Sequence, residues 1–269
     1  VDPGSGGAYS SGKFGGGAVC IVAGGAVTVN GTITANGVFG ISEHGDSGAS
    51  GGSIFITCAT FDGAGLVSAS GGASSQRGTT GGGAGGRVAV VYTDEAAQSA
   101  DVGVRFMVAG GQGTFSSVFP DPFASYGELG TLYLSGHKFL PSETMTGSYR
   151  LVVPSLAAWS PASLTVTNGW VCLPESIAVT TAGGVTVGKG GTLELRGNAV
   201  LNCGGDLDLA DGGDLYVRAG PTNGVAPAYG ALIAVTGDLT LNSGSVIYPF
   251  SCSTNGGSVL FTAANFTLA

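Results

Sequence analysis

Charged residues are scarce in this 269-residue sequence, which has nine lysines and arginines against 17 aspartates and glutamates, a net charge of −8. A nucleic-acid-binding surface needs clustered basic side chains to neutralise phosphates, so this balance argues against nucleic acid and equally against anionic membranes. Long apolar runs are also missing, because none approaches the roughly 20 residues that a membrane helix needs. We therefore expect neither a nucleic-acid-binding protein nor a protein inserted in a membrane.

An initiator methionine, an apolar leader and a paired-cysteine metal motif are absent as well. The sequence starts at Val1, as expected for a secreted protein after removal of its signal or for an excised segment. Five cysteines lack C-x-x-C or histidine-paired spacing, and they are Cys20, Cys58, Cys172, Cys203 and Cys252. We expect buried small apolar side chains, with one or two disulfides as the alternative, and no metal or other cofactor.

Glycine is what the sequence has in excess, with 52 residues and a positive mean hydropathy of +0.37. Disorder is excluded, because it requires low hydrophobicity and high charge. Collagen is excluded, because the glycines cluster in runs and follow no three-residue period. The composition predicts an all-β protein with many tight turns.

A repeat of about 21 residues runs through the second half of the chain. Its members begin at Leu164, Val185, Leu207 and Leu239, and a loop of about ten residues is inserted in the last interval. The strands TLELRG (192–197) and DLYVRAG (214–220) form a second ladder, which places Arg196 and Arg218 outward. Short repeated strands separated by glycine turns predict a parallel β-solenoid, right-handed by the general rule for parallel crossovers.

The first half has a longer and more glycine-rich repeat with spacings near 35 residues. These spacings indicate either coils with long loops or two short coils per repeat. We divide the single predicted solenoid of residues 1–269 into glycine-rich coils at 1–136, an irregular junction at 137–163 and regular coils at 164–269.

A family resemblance is visible in GGGAGGRVAVVYTD (81–94), with GGAVTVNGTITANG (24–37) before it and GTLYLSG (130–136) after it. This pattern resembles the glycine-rich repeats of very large secreted surface proteins of bacteria, over about residues 15–136 and 231–269. The resemblance implies an adhesin-like, right-handed parallel β-helix on the cell surface, with no agreed catalytic motif.

Several outward residues are candidates for binding a glycan. Arg196 and Arg218 on one ladder, with Tyr216 between them, are able to grip an acidic sugar. An aromatic loop adds Phe119 and Phe123, which either stack on sugars or fold the loop onto the solenoid. The alternative function is therefore a polysaccharide-binding protein, or a polysaccharide lyase or hydrolase, although the convergent aspartate motifs of such enzymes are missing.

Two polar groups offer weaker candidates. The loop SEHGD (42–46) contains His44 beside carboxylates, a possible general base. The acidic stretch at 206–214 supplies oxygen ligands that suit calcium, namely Asp206, Asp208, Asp211 and Asp214, but it occurs once and without the tandem register of calcium repeats. Polar loop residues and outward aspartates that block sheet stacking are the simpler interpretations.

The stretch GGSIFITCATF (51–61) is echoed by GGSVLFTAANF (256–266). The echo predicts a final coil with an unpaired edge, which self-association would cover or which the next repeat of a longer protein would complete. The expected assembly edge consists of Val259, Phe261 and Phe266 at one end and Val19 and Ile21 at the other. We expect a non-catalytic extracellular protein, structural or adhesive, whose subunits stack end to end into a filament.

Overall fold

The computed structural model describes residues 1–7, 14–40, 46–75, 80–100, 102–114, 126–138, 140, 143–224, 227–254 and 256–269. These residues form 24 strands and no helix, and the strands that pair are parallel. The fold is a parallel β-solenoid, as the sequence predicts. Across the described ranges, no helix of bilayer-spanning length and apolarity is found.

The chain divides into two compact units, and the division falls within the segment 137–163. Unit 1 comprises Val1–Phe139 and Ser148–Val152, and unit 2 comprises Leu140–Gly147 and Val153–Ala269. The segment that the sequence marks as irregular holds the nine-residue strand β10 (Thr144–Val152), whose two ends belong to different units.

Unit 1 is built from coils of two or three short strands. Its strands before β10 are β1 (Ala18–Val22), β2 (Val27–Thr28), β3 (Thr32–Thr34), β4 (Ser53–Cys58), β5 (Phe61–Asp62), β6 (Leu66–Ser68), β7 (Arg87–Tyr92), β8 (Arg105–Met107) and β9 (Thr131–Leu134). The main ladder runs β1–β4–β7–β9 and on to the second half of β10. Ile54, Val88 and Leu132 share one inward register on this ladder and are at most 1% exposed.

Glycine-rich segments leave and re-enter each coil of unit 1. Three outgoing segments (35–40, 69–75, 108–114) follow β3, β6 and β8, and three returning segments (46–52, 80–86, 126–130) lead into β4, β7 and β9. We call these six segments the glycine bundle. A spacing near 35 residues is therefore one coil with a glycine-rich excursion and not two short coils.

Hydrogen bonds in the glycine bundle recur at every third residue. Gly72 and Ser75 donate their N–H groups to the carbonyls of Ala49 and Asp46, which places an outgoing segment antiparallel to a returning one. Gly83 and Gly86 donate to Gly72 and Ala69 with the same step of three. A period of three is that of the polyproline II helix, whose backbone groups are free to bond neighbouring chains.

Close backbone approach explains why the bundle is made of glycine. A Cβ atom on Gly51 would lie within 3.0 Å of backbone atoms of Ala69 and Gly86, and one on Gly83 would do the same with Ala49. Neither residue has a left-handed φ, so space and not backbone conformation demands glycine here. In these segments glycine therefore serves the close packing of extended backbones and not a tight turn.

Unit 2 has three strands per coil, which form three parallel ladders. After β10 its strands are β11 (Ala158–Trp159), β12 (Leu164–Thr167), β13 (Gly169–Cys172), β14 (Ala178–Thr181), β15 (Val185–Val187), β16 (Gly191–Gly197), β17 (Val200–Cys203), β18 (Leu207–Leu209), β19 (Asp214–Ala219), β20 (Ala231–Val235), β21 (Asp238–Leu241), β22 (Val246–Phe250), β23 (Val259–Thr262) and β24 (Asn265–Leu268). The ladders are β12–β15–β18–β21–β24, β13–β16–β19–β22 and β11–β14–β17–β20–β23.

The first two ladders have the register that the sequence predicts. Leu164 pairs with Val185, Val185 with Leu207 and Leu207 with Leu239, and all four side chains are fully buried. The third ladder was not predicted from the sequence, which indicated two strands in each coil. The inserted loop of the third interval folds out from Gly220 and returns at Gly230, whose N–H bonds Ser258 in the next coil.

Candidate functional site

The outer face of the β13–β16–β19–β22 ladder carries a cluster of charged and aromatic side chains. Leu193 and Leu195 of β16 point into the coil, so the alternation of the strand sends Glu194 and Arg196 to the outer face. The parallel register then places Glu194 beside Tyr216, and Arg196 beside Arg218. We call this set, with Trp170, Tyr248 and Phe250, the outer-face cluster.

Glu194 is the centre of the outer-face cluster and is completely buried. Its Oε1 accepts hydrogen bonds from Nε of Arg196 at 2.7 Å and from Nε of Arg218 at 2.9 Å. Its Oε2 accepts a third from Nε1 of Trp170 at 2.8 Å. Both carboxylate oxygens are thus satisfied, as a buried charge requires.

Aromatic rings stack along the same face in the direction of the solenoid. The ring centroid of Tyr216 lies 5.0 Å from that of Trp170 and 4.4 Å from that of Tyr248. The Arg218 guanidinium carbon lies 4.6 Å from the ring centroid of Phe250, a cation–π contact. The cluster links four successive coils of unit 2, because Trp170, Glu194, Tyr216 and Tyr248 belong to four consecutive strands of the ladder.

The structure brings together only part of the predicted glycan-binding set. Arg196 and Arg218 meet at Glu194 and keep 28% and 44% of their side chains exposed. Tyr216 lies on the outer face but is only 3% exposed, so its stacked ring offers no surface to a sugar. Phe119 and Phe123 lie outside the described residues. No sequence pattern singled out Trp170, whose indole completes the bonding of Glu194.

A titration of the tyrosines offers a test of this packing. Burial raises the pKa of Tyr216, and Tyr248, Asp214 and Glu194 raise it further. Above the ordinary tyrosine pKa of 10.0 the folded chain retains a proton that the unfolded chain has lost, so the free energy of unfolding falls as the pH rises.

We expect the melting temperature to fall above about pH 10 and the fall to be shallower in Tyr216→Phe. Tyr126→Phe, at an exposed position, is the control for the loss of one hydroxyl group. Melting curves recorded between pH 8 and 11 make the comparison. Equal slopes in the wild type and Tyr216→Phe would show that Tyr216 is not buried as described.

The acidic stretch binds neighbouring coils to each other. Oδ1 of Asp206 accepts the N–H of Asp238 at 2.8 Å, and Oδ1 of Asp214 accepts the N–H of Val246 at 3.0 Å. Asp211 sits in a turn with a φ of 51°. The described residues contain no group of three or more histidine, cysteine, aspartate or glutamate side chains that could hold a metal, and the four aspartates, Asp208 included, do not form such a group.

Three of the four candidate residues in the loop SEHGD, Ser42, Glu43 and His44, lie outside the described part of the chain. Asp46 itself is fully buried at the start of a returning segment, where its N–H bonds Oγ of Ser75. Its carbonyl accepts the N–H of the same serine. Asp46 therefore holds the glycine bundle together at this point.

The predicted assembly edge lies on the outermost coils of the two units. Leu164, Val185, Leu207 and Leu239 are 0% exposed, whereas Phe266, next in the same ladder, is 56% exposed. Leu268 is 72% exposed. The outermost strand of this ladder, β24, therefore presents inward apolar side chains that no further coil covers, unlike their equivalents in the interior coils.

The β1 edge of unit 1 shows the same rise in exposure. Val19 and Ile21 of β1 are half-buried, whereas their partners Ile54 and Ile56 in β4 are at most 1% exposed. Val259 and Phe261 of β23 are likewise half-buried, although Ile233, the partner of Phe261, is fully buried. Cys20, on the lateral face of β1, is an exposed free thiol.

The fold and these two surfaces define a parallel β-solenoid with a glycine bundle. Comparisons with protein-family models, curated protein sequences and solved structures found no match to this chain. The resemblance to bacterial surface repeats therefore stays a prediction.

Proposed function

We propose that this protein is a non-catalytic, structural or adhesive element of an extracellular surface, which stacks end to end through its outermost coils into a filament. The observation that carries the proposal is the exposure of Phe266 and Leu268 at the edge of unit 2 and of strand β1 at the edge of unit 1. Phe266 and the inward residues of β1 continue rows whose interior members are buried, and Leu268 pairs with Leu241, which is half-buried. Another coil placed on the edge would bury them in the same way.

The energetics of the edge favour association. Burying an exposed large apolar side chain stabilises a complex by about 1.5 to 3 kcal/mol, and each outermost coil offers several. The strand edge also offers backbone hydrogen-bonding groups. In this ladder the inward residue Leu164 donates its N–H to Gly184 in the next coil. Phe266 and Leu268 occupy the equivalent inward positions of β24, so their N–H groups point away from β21. Unpaired strand edges of this kind template the addition of another strand.

Other features support an extracellular scaffold. Few side chains are charged, and the backbones of the glycine bundle bond one another at close range. A solenoid of this kind gains stability from each added neighbour, because a coil cannot bury its own inner face.

The test compares two lysine substitutions in β24. Phe266→Lys puts a charge on the surface where the next coil would stack, and we expect it to abolish assembly. Thr267→Lys adds the same charge to the lateral face of the same strand and should leave assembly unchanged. Sedimentation velocity and electron microscopy at near-native concentration read out the assemblies, and circular dichroism checks that both variants fold.

Filaments in the wild type and in Thr267→Lys, but not in Phe266→Lys, would support the proposal. Single particles of the wild type at all concentrations would refute stacking between copies. Equal assembly in both variants would show that the stacking surface lies elsewhere.

A further inference from the structure

We propose that the partner at the outermost coil of unit 2 is a second copy of this chain, which lays its β1 beside β23 and its β2 beside β24. This inference rests on the proposed end-to-end stacking and adds the register of the joint. In that register Val19 lies beside Val259, Cys20 beside Leu260 and Ile21 beside Phe261.

The pairing of β1 with β23 is supported first by a shared sequence pattern, two glycines shortly before the strand. Gly16-Gly17 precedes β1, Gly51-Gly52 precedes β4, Gly85-Gly86 precedes β7 and Gly256-Gly257 precedes β23. β23 therefore begins in the manner of the main-ladder strands of unit 1. Strands of this set pair with one another in a parallel ladder, as β4 pairs with β1 and β7 pairs with β4.

The hydrogen bonds between successive members fix the register. The first residue of each strand donates its N–H to the second glycine of the coil before it: Ser53 to Gly17 at 3.1 Å and Arg87 to Gly52 at 2.9 Å. At the joint the corresponding donor is Ala18 of the second copy and the acceptor is the Gly257 carbonyl. That carbonyl already accepts the N–H of Cys252 and has a second lone pair.

The corner after the strand gives the same register independently. Phe61 and Phe266 hold the same position in the two similar stretches 51–61 and 256–266. Each lies seven residues after the first inward residue of the preceding strand, Ile54 or Val259. Phe61 pairs with Val27 of β2, is 0% exposed and stacks on Phe106 at 6.1 Å. Val27 of a second copy is therefore a fitting neighbour for Phe266, since it packs beside the equivalent phenylalanine within unit 1.

The lateral face of the joint provides a chemical probe. Cys20 is exposed, and the proposed register places it beside Leu260, which also faces outward because its neighbours Val259 and Phe261 face inward. Adjacent strands lie about 4.8 Å apart, within the Cα separations of about 4.4 to 6.8 Å that a disulfide spans. A cysteine at position 260 would therefore meet Cys20 of the next copy.

The experiment is disulfide trapping of the assembled full chain in a Cys252→Ser background, which removes the other partly exposed thiol. We expect Leu260→Cys to give covalent multimers on non-reducing gels after mild oxidation. Thr262→Cys is two residues further along the same face and should cross-link at least tenfold less. Adding Cys20→Ser to Leu260→Cys should abolish the multimers.

The outcomes separate the register from the stacking. Multimers from Leu260→Cys alone, dependent on Cys20, support the proposed joint. The register is overturned if Thr262→Cys cross-links as much as Leu260→Cys. It is also overturned if Leu260→Cys gives no cross-link although the protein assembles and Phe266→Lys abolishes that assembly. In both cases the end-to-end stacking itself still stands. A wild type that does not assemble overturns both proposals and points to another partner for this edge.

Discussion

Gly83→Ala is expected to lower the free energy of unfolding by about 3 kcal/mol or more, the upper range for overpacking a filled interior. A Cβ atom on Gly83 would fall on the carbonyl group of Ala49, and both the oxygen and the carbon belong to the backbone. Gly83 donates to Gly72 and accepts from Gly111 at 2.9 and 2.8 Å, so it cannot move without breaking bonds to two segments.

Gly81→Ala is the matched control in the same returning segment. A Cβ atom on Gly81 has no heavy atom within 4 Å, and its φ is not left-handed. We expect no loss of stability, and a gain of about 0.4 to 1 kcal/mol is consistent with a less flexible unfolded chain. Urea denaturation of both variants, followed by circular dichroism, measures the difference.

The comparison discriminates between two roles for glycine. If the glycines served only as flexible turns, Gly83→Ala and Gly81→Ala would behave alike. A difference of 2 kcal/mol or more between them would indicate a packed bundle of extended backbones. Similar stabilities would contradict the close approach of Gly83 and Ala49.

The ladders of unit 2 were predictable because they depend on side chains. Leucine and valine alternate with polar residues inside each strand, and the repeat spacing aligns Leu164, Val185 and Leu207 before any coordinates are known. A loop insertion shifts the spacing but leaves the alternation intact, so Leu239 was placed correctly too. The third ladder was missed because its strands share no alternating pattern: Ala178–Thr181 ends in two threonines, whereas Ala231–Val235 is apolar throughout.

The glycine bundle could not be predicted in the same way. Its cohesion comes from backbone hydrogen bonds, which leave no alternating pattern of apolar side chains. The trace in the sequence is faint: positions 69, 72 and 75 are all buried and all small, but alanine, glycine and serine occur in many other contexts. In the outer-face cluster, the two arginines were placed on one ladder, but burial of Glu194 depends on Trp170, which lies 24 residues earlier.

Glu194→Gln is expected to lower the free energy of unfolding by about 2 to 3 kcal/mol. Removing one partner of a fully buried ion pair typically costs about 3 to 5 kcal/mol, because the other charge is left uncompensated. The effect is smaller here, since Arg196 and Arg218 are 28% and 44% exposed and water screens them. Glu175→Gln, an exposed carboxylate in the preceding coil, should change stability by less than about 0.5 kcal/mol.

A double-mutant cycle with Arg218→Met tests whether the cluster acts through charge compensation. Arg218→Met keeps most of the aliphatic stem but removes one hydrogen bond to Glu194 and the cation–π contact with Phe250, so we expect a loss of about 1 to 2 kcal/mol. With Glu194→Gln already present, the same change should cost little or even stabilise, because it removes a cation that has lost its partner. Additive losses would instead mean that Arg218 acts by packing alone, and that the carboxylate is held chiefly by Arg196 and Trp170.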